Sequence, residues 1–286
     1  MKWLVEEYDD HVKELVEEIR KQGHECDFLN YYKMTKDNNY TGIGLPKGCG
    51  EYNGEEPVLF YGSIQLAGWI RRHKPLWVPG VWYNYDKYKV SHWSAALGKY
   101  MLNEDFIILP VAEITRRWEK LFRDVGDGNN LFIRPDNGTK SFGGKTFYKE
   151  RWKLDWPNAT YMMDPHELCV VSYPCNIGKE WRFIIVEGQV ITGSQYKDHG
   201  SAEIQDIIPG DDKAYRAWKF AQKIADEKYN PDPMYTIDIC EANGGFYLVE
   251  LNNFCSSGLY ACDLQKIVAK ASELAIREFK EEENAK

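Results

Sequence analysis

The hydrophobic pattern of the first 110 residues predicts strands and helices that alternate along the chain. Short apolar runs at residues 3–5 and 58–63 are typical of buried strands, and apolar residues at helical spacing over 12–19 indicate a helix that Gly23 ends. The aromatic stretch at residues 77–100 is expected to pack at the edge of this region. The other elements expected here are a strand at 24–29 and a helix at 64–72.

From residue 111 onward the pattern changes to strands that pair in antiparallel hairpins beside a few helices. Gly188 and the sequence Asn243-Gly244-Gly245 supply the tight turns of two hairpins. The predicted helices are 112–125, 212–228 and 264–279, and the predicted strands are 131–135, 146–149, 167–172, 182–186, 190–194, 235–242 and 246–251. An α/β region is therefore expected to precede an α+β region. The predicted domains are residues 1–110, 111–172 and 173–286.

Composition indicates a globular chain and argues against several classes of protein. Hydrophobic residues make up 43% of the chain and charged residues 28%, which is typical of a soluble globular protein. No apolar stretch reaches the roughly 20 residues that span a bilayer, and the N-terminal sequence turns acidic too early for a signal peptide. Seven cysteines without a C-x-x-C pair favour a reduced, cytoplasmic protein without structural zinc. The net charge of −8 argues against general nucleic-acid binding.

The segment of residues 134–153 is basic in an otherwise acidic chain, with six bases and two acids. Most such runs are solvated surfaces, but here Lys140 and Lys145 flank Gly143 and Gly144. Glycine lets backbone N–H groups approach an anion closely. The segment is therefore a candidate phosphate-binding loop.

The last predicted hairpin carries the residues best suited to bind a metal. Glu250 and Asn252 are two residues apart in one strand, so their side chains share a face, and the turn returns Asp238 beside them. Two carboxylates and an amide oxygen suit Mg²⁺, which prefers oxygen ligands. A polar face turned to water is the alternative. The apolar neighbours in these strands favour a core hairpin instead, in which acids need partners.

Three segments resemble the signatures of the ATP-grasp superfamily, and they follow one another along the chain in the order that the family has. The last hairpin resembles the motif in which an aspartate, a glutamate and an asparagine hold Mg-ATP. Residues 131–145 resemble the strand and glycine loop that close over the phosphates, and residues 180–191 resemble the later E-x-R strand and hairpin. Arg134 stands where most members have lysine, which resembles a phage and bacterial branch with an Arg-Pro…Lys-x-Phe pattern. The match covers about residues 110–270 and implies an ATP-grasp fold that grips ATP between two α+β subdomains.

The resemblance also implies roles for individual residues. It implies that ATP binds with one or two Mg²⁺ ions, which Asp238, Glu250 and Asn252 would ligate. The residues implied in nucleotide binding are Arg134, Lys140, Gly143, Gly144, Lys145, Val170, Val171, Ser172 and Glu180. Those implied to act on the reacting phosphate are Arg134, Lys140, Arg182 and Lys197, and those implied to hold the acceptor substrate are Ser256, Ser257 and Gly258.

Several of these roles have structural alternatives. Residues 170–172 could be an ordinary buried strand, and Glu180 and Arg182 could form a plain surface ion pair. Residues 256–258 could be a polar loop that caps the last helix.

The reaction implied by the family joins a carboxylate to an amine. A carboxylate of a small molecule or peptide would attack the γ-phosphate of ATP, and an amine would then attack the acyl phosphate, giving an amide, ADP and phosphate. A small-molecule kinase of the same fold and a nucleotide-binding regulatory protein without turnover are the alternatives. No membrane partner is expected, and the oligomeric state stays open. The resemblance to a phage branch also allows for a phage-encoded protein in the host cytoplasm.

Overall fold

The strands form three β-sheets with helices packed beside each of them. The computed structural model describes residues 1–6, 11–29, 54–73, 76–138, 141–207 and 210–285. Its helices are α1 (His11–Lys21), α2 (Ile64–His73), α3 (Val90–Leu97), α4 (Val111–Asp124), α5 (Trp152–Thr160), α6 (Asp212–Ala225) and α7 (Leu264–Ala285). The predicted class of mixed helix and sheet is confirmed. Within the described part of the chain, no helix is both long and apolar enough to cross a bilayer.

The N-terminal sheet is parallel, as its alternating pattern predicted. Its strands are β1 (Lys2–Glu6), β2 (Glu25–Leu29), β3 (Val58–Tyr61) and β4 (Pro79–Gly80). They lie in the order β2-β1-β3-β4, and each pairing is parallel. Every residue of β3 is buried, because a central parallel strand that is covered on both faces has no solvent side.

The second sheet is antiparallel, and one of its faces packs against two of the described helices while the other does not. Its strands β5 (Phe106–Pro110), β6 (Asn130–Pro135), β7 (Lys145–Tyr148) and β8 (Leu168–Ser172) lie in the order β5-β8-β6-β7. Along β6, Leu131 and Ile133 are buried in a core with α4 and α5, whereas Phe132 and Arg134 alternate to the other face. Since β5 pairs with β8, residues 106–110 belong to this sheet, although the sequence placed them in the first region.

The third sheet is also antiparallel and carries one helix on one of its faces. Its strands are β9 (Lys179–Val186), β10 (Gln189–Asp198), β11 (Ser201–Asp206), β12 (Met234–Ala242) and β13 (Gly245–Asn253), in the order β11-β10-β9-β12-β13. Helix α6 contacts β9, β10, β12 and β13, and the ring of Phe183 on β9 lies 5.8 Å from Trp218 on α6. Because side chains alternate along β9, Glu180 and Arg182 point to the opposite face.

The aromatic stretch at residues 77–100 joins the first and third sheets. Trp82, Tyr88 and Trp93 are 4%, 3% and 0% exposed and belong to the core that contains side chains of both sheets. Trp82 Nε1 donates a hydrogen bond to Glu278 on α7, and the Tyr88 hydroxyl donates one to Asp232. Within this stretch, β4 lies at the edge of the first sheet as predicted, whereas the large rings instead fill the joint between the two sheets.

We expect Phe254 to be essential to that joint. It is fully buried in the turn after β13, and its ring lies 5.6 Å from Tyr61 on β3 and 6.2 Å from Trp82. The substitution Phe254→Ala should lower the free energy of unfolding by about 3–5 kcal/mol, because it removes a buried ring and leaves a cavity. Tyr161→Ala, at a residue that is 81% exposed, should change it by less than about 0.5 kcal/mol. Urea unfolding measures both, and equal small losses would contradict a core shared by the two sheets.

Candidate active site

One face of the third sheet carries a continuous row of polar side chains. The register pairs Arg182 on β9 with Ser194 on β10 and with Asp238 on β12. Asp238 is paired in turn with Glu250 on β13. Directly paired residues point to the same face, so the row lies opposite the face that α6 covers. Asn252, two residues beyond Glu250, shares this face, and the structure thus brings the three predicted metal ligands together.

The centre of the row is a buried ion pair between Arg182 and Asp238. Arg182 Nε and Nη2 donate to the two Asp238 oxygens at 2.8 and 2.7 Å, and the side chains are 5% and 1% exposed. Arg182 Nη1 also donates to the Gly258 carbonyl at 3.2 Å. Burial alone lowers the pKa of Arg182, but the attraction of Asp238 outweighs it, so this pKa lies well above its usual value. The alternative of a surface ion pair does not hold for Arg182, since its carboxylate partner is enclosed.

Arg134 joins the second sheet to the same row. Its Nη2 donates to Glu250 Oε2 at 3.0 Å, and its Nη1 donates to the carbonyl of Val249 at 2.9 Å. The other oxygen of Glu250 accepts a hydrogen bond from Asn252 Nδ2 at 2.9 Å. The cleft between the second and third sheets is therefore lined by guanidinium groups and carboxylates that bond to one another.

The glycine-bearing loop between β6 and β7 lies against Arg134. A Cβ atom on Gly144 would come within 3.0 Å of Arg134 Cβ and 3.2 Å of the Phe132 ring, so glycine allows this close approach without displacing either side chain. Gly143 has open space around it. Lys145 is exposed, and its ammonium lies 4.7 Å from the ring centroid of Phe147, on the side of α5. To reach the cleft, this ammonium would have to leave that ring. Lys140 lies outside the described residues.

Strand β8 presents two different faces at the predicted nucleotide residues. It is paired with both β5 and β6, so the peptide groups of Val170 and Val171 are hydrogen-bonded within the sheet. The side chain of Val171 lies in the core with α4 and α5, whereas Val170 belongs to the core on the cleft side. Ser172 also faces the cleft side, and its buried hydroxyl has no hydrogen-bond partner among the described residues. A buried orphan hydroxyl beside a cleft fits a polar ligand atom.

Glu180 is tied to two neighbours at the edge of the row. The Tyr196 hydroxyl donates to Glu180 at 2.8 Å and lies 3.5 Å from Asp238, and Lys197 Nζ lies 3.5 Å from the other Glu180 oxygen. Burial, Asp238 and Glu180 all raise the pKa of Tyr196 well above its usual value, so its hydroxyl stays protonated and can donate. Tyr196 carries no motif signal, and only the register of β10 could have revealed it.

The three predicted acceptor residues follow β13 directly. Ser256 donates from both N and Oγ to Asn253 Oδ1, at 2.9 and 3.0 Å, and the Ser257 hydroxyl donates to the Asn253 carbonyl at 2.6 Å. The Ser257 carbonyl accepts a hydrogen bond from Tyr61 at 2.6 Å. The loop is thus ordered by its own bonds and by the first sheet, and Gly258 is held by Arg182.

One residue that the motifs did not indicate holds two side chains of the candidate phosphate-binding loop. Glu167 Oε1 accepts hydrogen bonds from Asn137 Nδ2 at 2.8 Å and from Ser141 Oγ at 2.5 Å. The base of the loop is fixed as well, since the buried Asp136 accepts from the backbone and hydroxyl of Ser91, both at 2.7 Å. These ties reduce the entropy that the loop would lose on closing around a ligand.

A cavity of about 390 Å³ lies between the second and third sheets, at the end of the cleft away from Arg134. Its walls come from β6 and β7 of the second sheet, from the segment that connects β8 to β9, and from the turn between β12 and β13. The lining residues are Asp127, Asn130, Thr146, Tyr148, Tyr173, Pro174, Cys175, Asn176 and Asn243. Asn130 precedes Arg134 by four residues on β6, which corresponds to about 13 Å along a strand.

The donor set of the row fits a hard divalent cation. Within the described ranges, no group of three or more His, Cys, Asp or Glu side chains is placed to hold a metal ion. The predicted set instead combines two carboxylates with an amide, and all three can offer oxygen, the donor that Mg²⁺ prefers. Asp238 and Glu250 each accept a hydrogen bond from an arginine, at 2.7 and 3.0 Å, so a cation would replace arginine as their partner.

Comparison with known proteins identifies the family. The model of the family described as "ATP-grasp domain, R2K clade family 2" matches residues 115–270, which is more than half of the chain. The chain therefore belongs to this family of ATP-grasp domains, and the resemblance noted in the sequence is confirmed. No curated protein sequence matches the chain.

Solved structures share the fold at low sequence identity. A D-alanine–D-alanine ligase from Bacillus anthracis complexed with ATP is 14% identical, with a TM-score of 0.60 over 99% of both chains. The D-cycloserine synthetase DcsG is 10% identical, with a TM-score of 0.59 over 96% of this chain and 100% of that one. The ATP-grasp ligase PsnB complexed with its minimal precursor is 14% identical, with a TM-score of 0.54 over 95% and 99%. At these identities the likeness shows the fold alone.

We expect Arg182 to be required for stability as well as for the site. Arg182→Ala would remove the guanidinium that balances the buried charge of Asp238 and should lower the free energy of unfolding by about 3–5 kcal/mol. Arg134→Ala is the matched control, because Glu250 is 18% exposed and keeps Asn252 as a partner, so the loss should be about 1–2 kcal/mol. Thermal and urea unfolding of both variants measure the difference. A loss for Arg182→Ala no larger than that for Arg134→Ala would contradict the central role of the buried pair.

Proposed function

We propose that this chain is an ATP-dependent ligase that joins a carboxylate to an amine, with Mg-ATP bound between the second and third sheets. The observation that carries the proposal is the meeting of Arg134 from one sheet with the row of Arg182, Asp238 and Glu250 on the other. Guanidinium groups and carboxylates together fit a ligand that brings both phosphate anions and metal cations. Membership of the ATP-grasp family supports the nucleotide, and ligases with the same fold support the reaction class.

The nucleotide would lie along β6, with its phosphates at Arg134 and its base toward the cavity near Asn130. The distance of about 13 Å between these positions suits an extended nucleoside triphosphate. The orphan hydroxyl of Ser172 and the side chain of Val170 lie on the same side of the sheet and would contact the nucleoside. Val171 packs against the helices, and its role in this proposal is structural.

Asp238, Glu250 and Asn252 would hold one or two Mg²⁺ ions, which supply charge neutralisation to the phosphates when bound. The two arginines that donate hydrogen bonds to these carboxylates in this structure would then donate to the phosphate oxygens instead. Arg134 and Arg182 present planar forks that stay charged and can bind phosphate with two hydrogen bonds. Glu180, held by Tyr196, would face the nucleotide beside them.

The reaction would proceed by transfer of the γ-phosphoryl group to a carboxylate. The carboxylate oxygen forms the bond to phosphorus while the bond to ADP breaks, and the amine then displaces phosphate from the acyl carbon and gives up a proton. Arg182 in the row and Lys197 beside it would neutralise charge as it develops, together with Lys140. Both substrates would meet near residues 256–258, which directly follow the metal-binding strand.

Mg-ATP should stabilise the folded protein. A ligand at 100 times its dissociation constant that binds only the folded state adds about 2.7 kcal/mol, which raises the melting temperature by several degrees. The measurement is a thermal melt with ATP and Mg²⁺, with ATP and a chelator, and with Mg²⁺ alone. The largest shift should occur with both ligands present, and a melt that no combination changes would contradict nucleotide binding.

Glu250→Gln should separate function from stability. The substitution keeps the shape of the side chain but removes its charge, so the fold should survive while amine-dependent ADP release falls by about 10²–10³-fold. Its neighbour Leu251 is 3% exposed and points to the opposite face, so Leu251→Gln should instead cost about 2–5 kcal/mol of stability. The assay is ADP release with pooled carboxylates and amines, run beside melts of both variants. Wild-type turnover in Glu250→Gln would remove the metal assignment, and turnover that is independent of amine would favour a kinase.

A further inference from the structure

We propose that Tyr260 forms the wall that closes the acceptor side of the reaction centre and keeps water from the reacting phosphate. This inference rests on the proposed function, because it concerns the same cleft. It assigns a role to a residue that lies outside the ATP-grasp motifs quoted above. Two independent observations carry it, one on the backbone of Tyr260 and one on the contacts of its ring.

The backbone of Tyr260 adopts a conformation that disfavours a bulky side chain. Its φ is +50°, in the left-handed region, and it lies in a turn closed by a hydrogen bond from Cys262 N to the Leu259 carbonyl at 3.0 Å. Glycine would take this conformation without strain, yet the chain has a tyrosine. Strain of this kind is a pointer to function when the side chain has a specific contact to make.

The other non-glycine residues with positive φ in the described ranges have ordinary explanations. Glu187, His199 and Asn243 each precede a glycine in a hairpin turn, and Lys228 lies just beyond the end of α6. Tight hairpin turns and the ends of helices commonly place a residue in the left-handed conformation. Tyr260 differs from the three hairpin residues because its turn does not connect two paired strands, and from Lys228 because it lies between the loop of residues 256–258 and the start of α7.

The ring of Tyr260 packs against both Tyr196 and the guanidinium of the buried ion pair. It lies parallel to the ring of Tyr196, with centroids 5.0 Å apart and planes at 8°, and its centroid is 5.2 Å from the guanidinium carbon of Arg182. Tyr260 is 39% exposed, whereas Tyr196 is 6% and Arg182 5% exposed. Removal of this ring would uncover the side of the Arg182 guanidinium that it contacts, while Tyr196 would still lie 5.5 Å from that guanidinium.

The ring lies next to the residues to which the reaction is assigned, so its presence there would affect the reaction. Arg182 holds Asp238, which is paired with Glu250, and its third nitrogen holds the carbonyl of Gly258 in the acceptor loop. Tyr260 follows Gly258 by two residues, and its partly exposed ring contacts the Arg182 guanidinium at one side of the row. The flat faces of the Tyr260 ring are apolar and offer no group that could activate water. The ring would thus favour an amine acceptor that packs against it over bulk water.

The competing reaction is hydrolysis of ATP. A water oxygen would form a bond to the γ-phosphorus, the bond to the β-bridging oxygen would break, ADP would leave with the electron pair, and a proton would go to solvent. This reaction needs no carboxylate and no amine, so it can be measured while both substrates are unidentified. Water exclusion by the Tyr260 ring predicts that it is slow in the wild type and faster when the ring is removed.

The test compares Tyr260→Gly with Tyr260→Phe in the full chain. ADP release from Mg-ATP without added carboxylate or amine should rise roughly tenfold in Tyr260→Gly, because the ring is lost while the turn is relaxed. Tyr260→Phe keeps the ring and should match the wild type. Glu250→Gln sets the background of the assay. Tyr260→Asn is the second ring-free variant, since asparagine tolerates positive φ, and it should behave like Tyr260→Gly if that variant fails to fold.

The results distinguish failure of the role of Tyr260 from failure of the proposed function. ADP release that does not rise above the wild type and the Glu250→Gln background in the folded ring-free variants overturns the role of Tyr260. A rise of the same size in Tyr260→Phe also overturns it, because the hydroxyl and not the ring would then matter. A Mg-ATP melting shift in the wild type with no effect of Tyr260 leaves the proposed function standing. The absence of that shift in the wild type removes the proposed function itself.

Discussion

The buried pair of Arg182 and Asp238 is the interaction on which the arrangement of the cleft depends. Moving two charges out of water costs several kcal/mol for each ion, and hydrogen bonds of 2.7 and 2.8 Å within the pair offset that cost. The bonds form only if β9 and β12 keep one register, because a slip of one residue turns every side chain to the opposite face. The pair thereby fixes which face of the third sheet is polar, and with it the direction of Glu250 and Asn252.

Much of the candidate site could be predicted because its signals are local. The period of two in β13 places Glu250 and Asn252 on one face, and the Asn243-Gly244 turn, with φ of 50° and 75°, returns the chain to Asp238. The glycines between Lys140 and Lys145 predict an approach of backbone to phosphate, which stays a prediction, and the structure places Gly144 against Arg134. Each of these features depends on residues within a few positions of one another, so the sequence pattern contains the necessary information.

Contacts between distant segments do not follow from such patterns. Arg134 is 116 residues from Glu250, and no spacing rule connects the two. Helix α5 contains Pro157, which normally ends a helix, but Trp152 and Trp156 stack at 4.8 Å and hold it against the second sheet. Tertiary packing of this kind overrides local propensity. The same applies to β8, where only the assembled sheet shows that Val171 faces the helices while Ser172 faces the cleft.

Under the proposed function, the groups that stabilise the cleft without ligand are the ones that bind the ligand, so binding is an exchange of partners. Each arginine would release a carboxylate and gain a phosphate, while each carboxylate would gain a metal ion. The number of paired buried charges is then preserved, and the cost of binding reduces to the difference between two sets of pairs. Metal without phosphate would place a cation beside Arg134 and Arg182, and phosphate without metal would face Asp238 and Glu250. Electrostatics therefore favours entry of nucleotide and metal together. Because Arg134 reaches Glu250 from the second sheet, the same exchange controls how closely the two walls of the cleft approach.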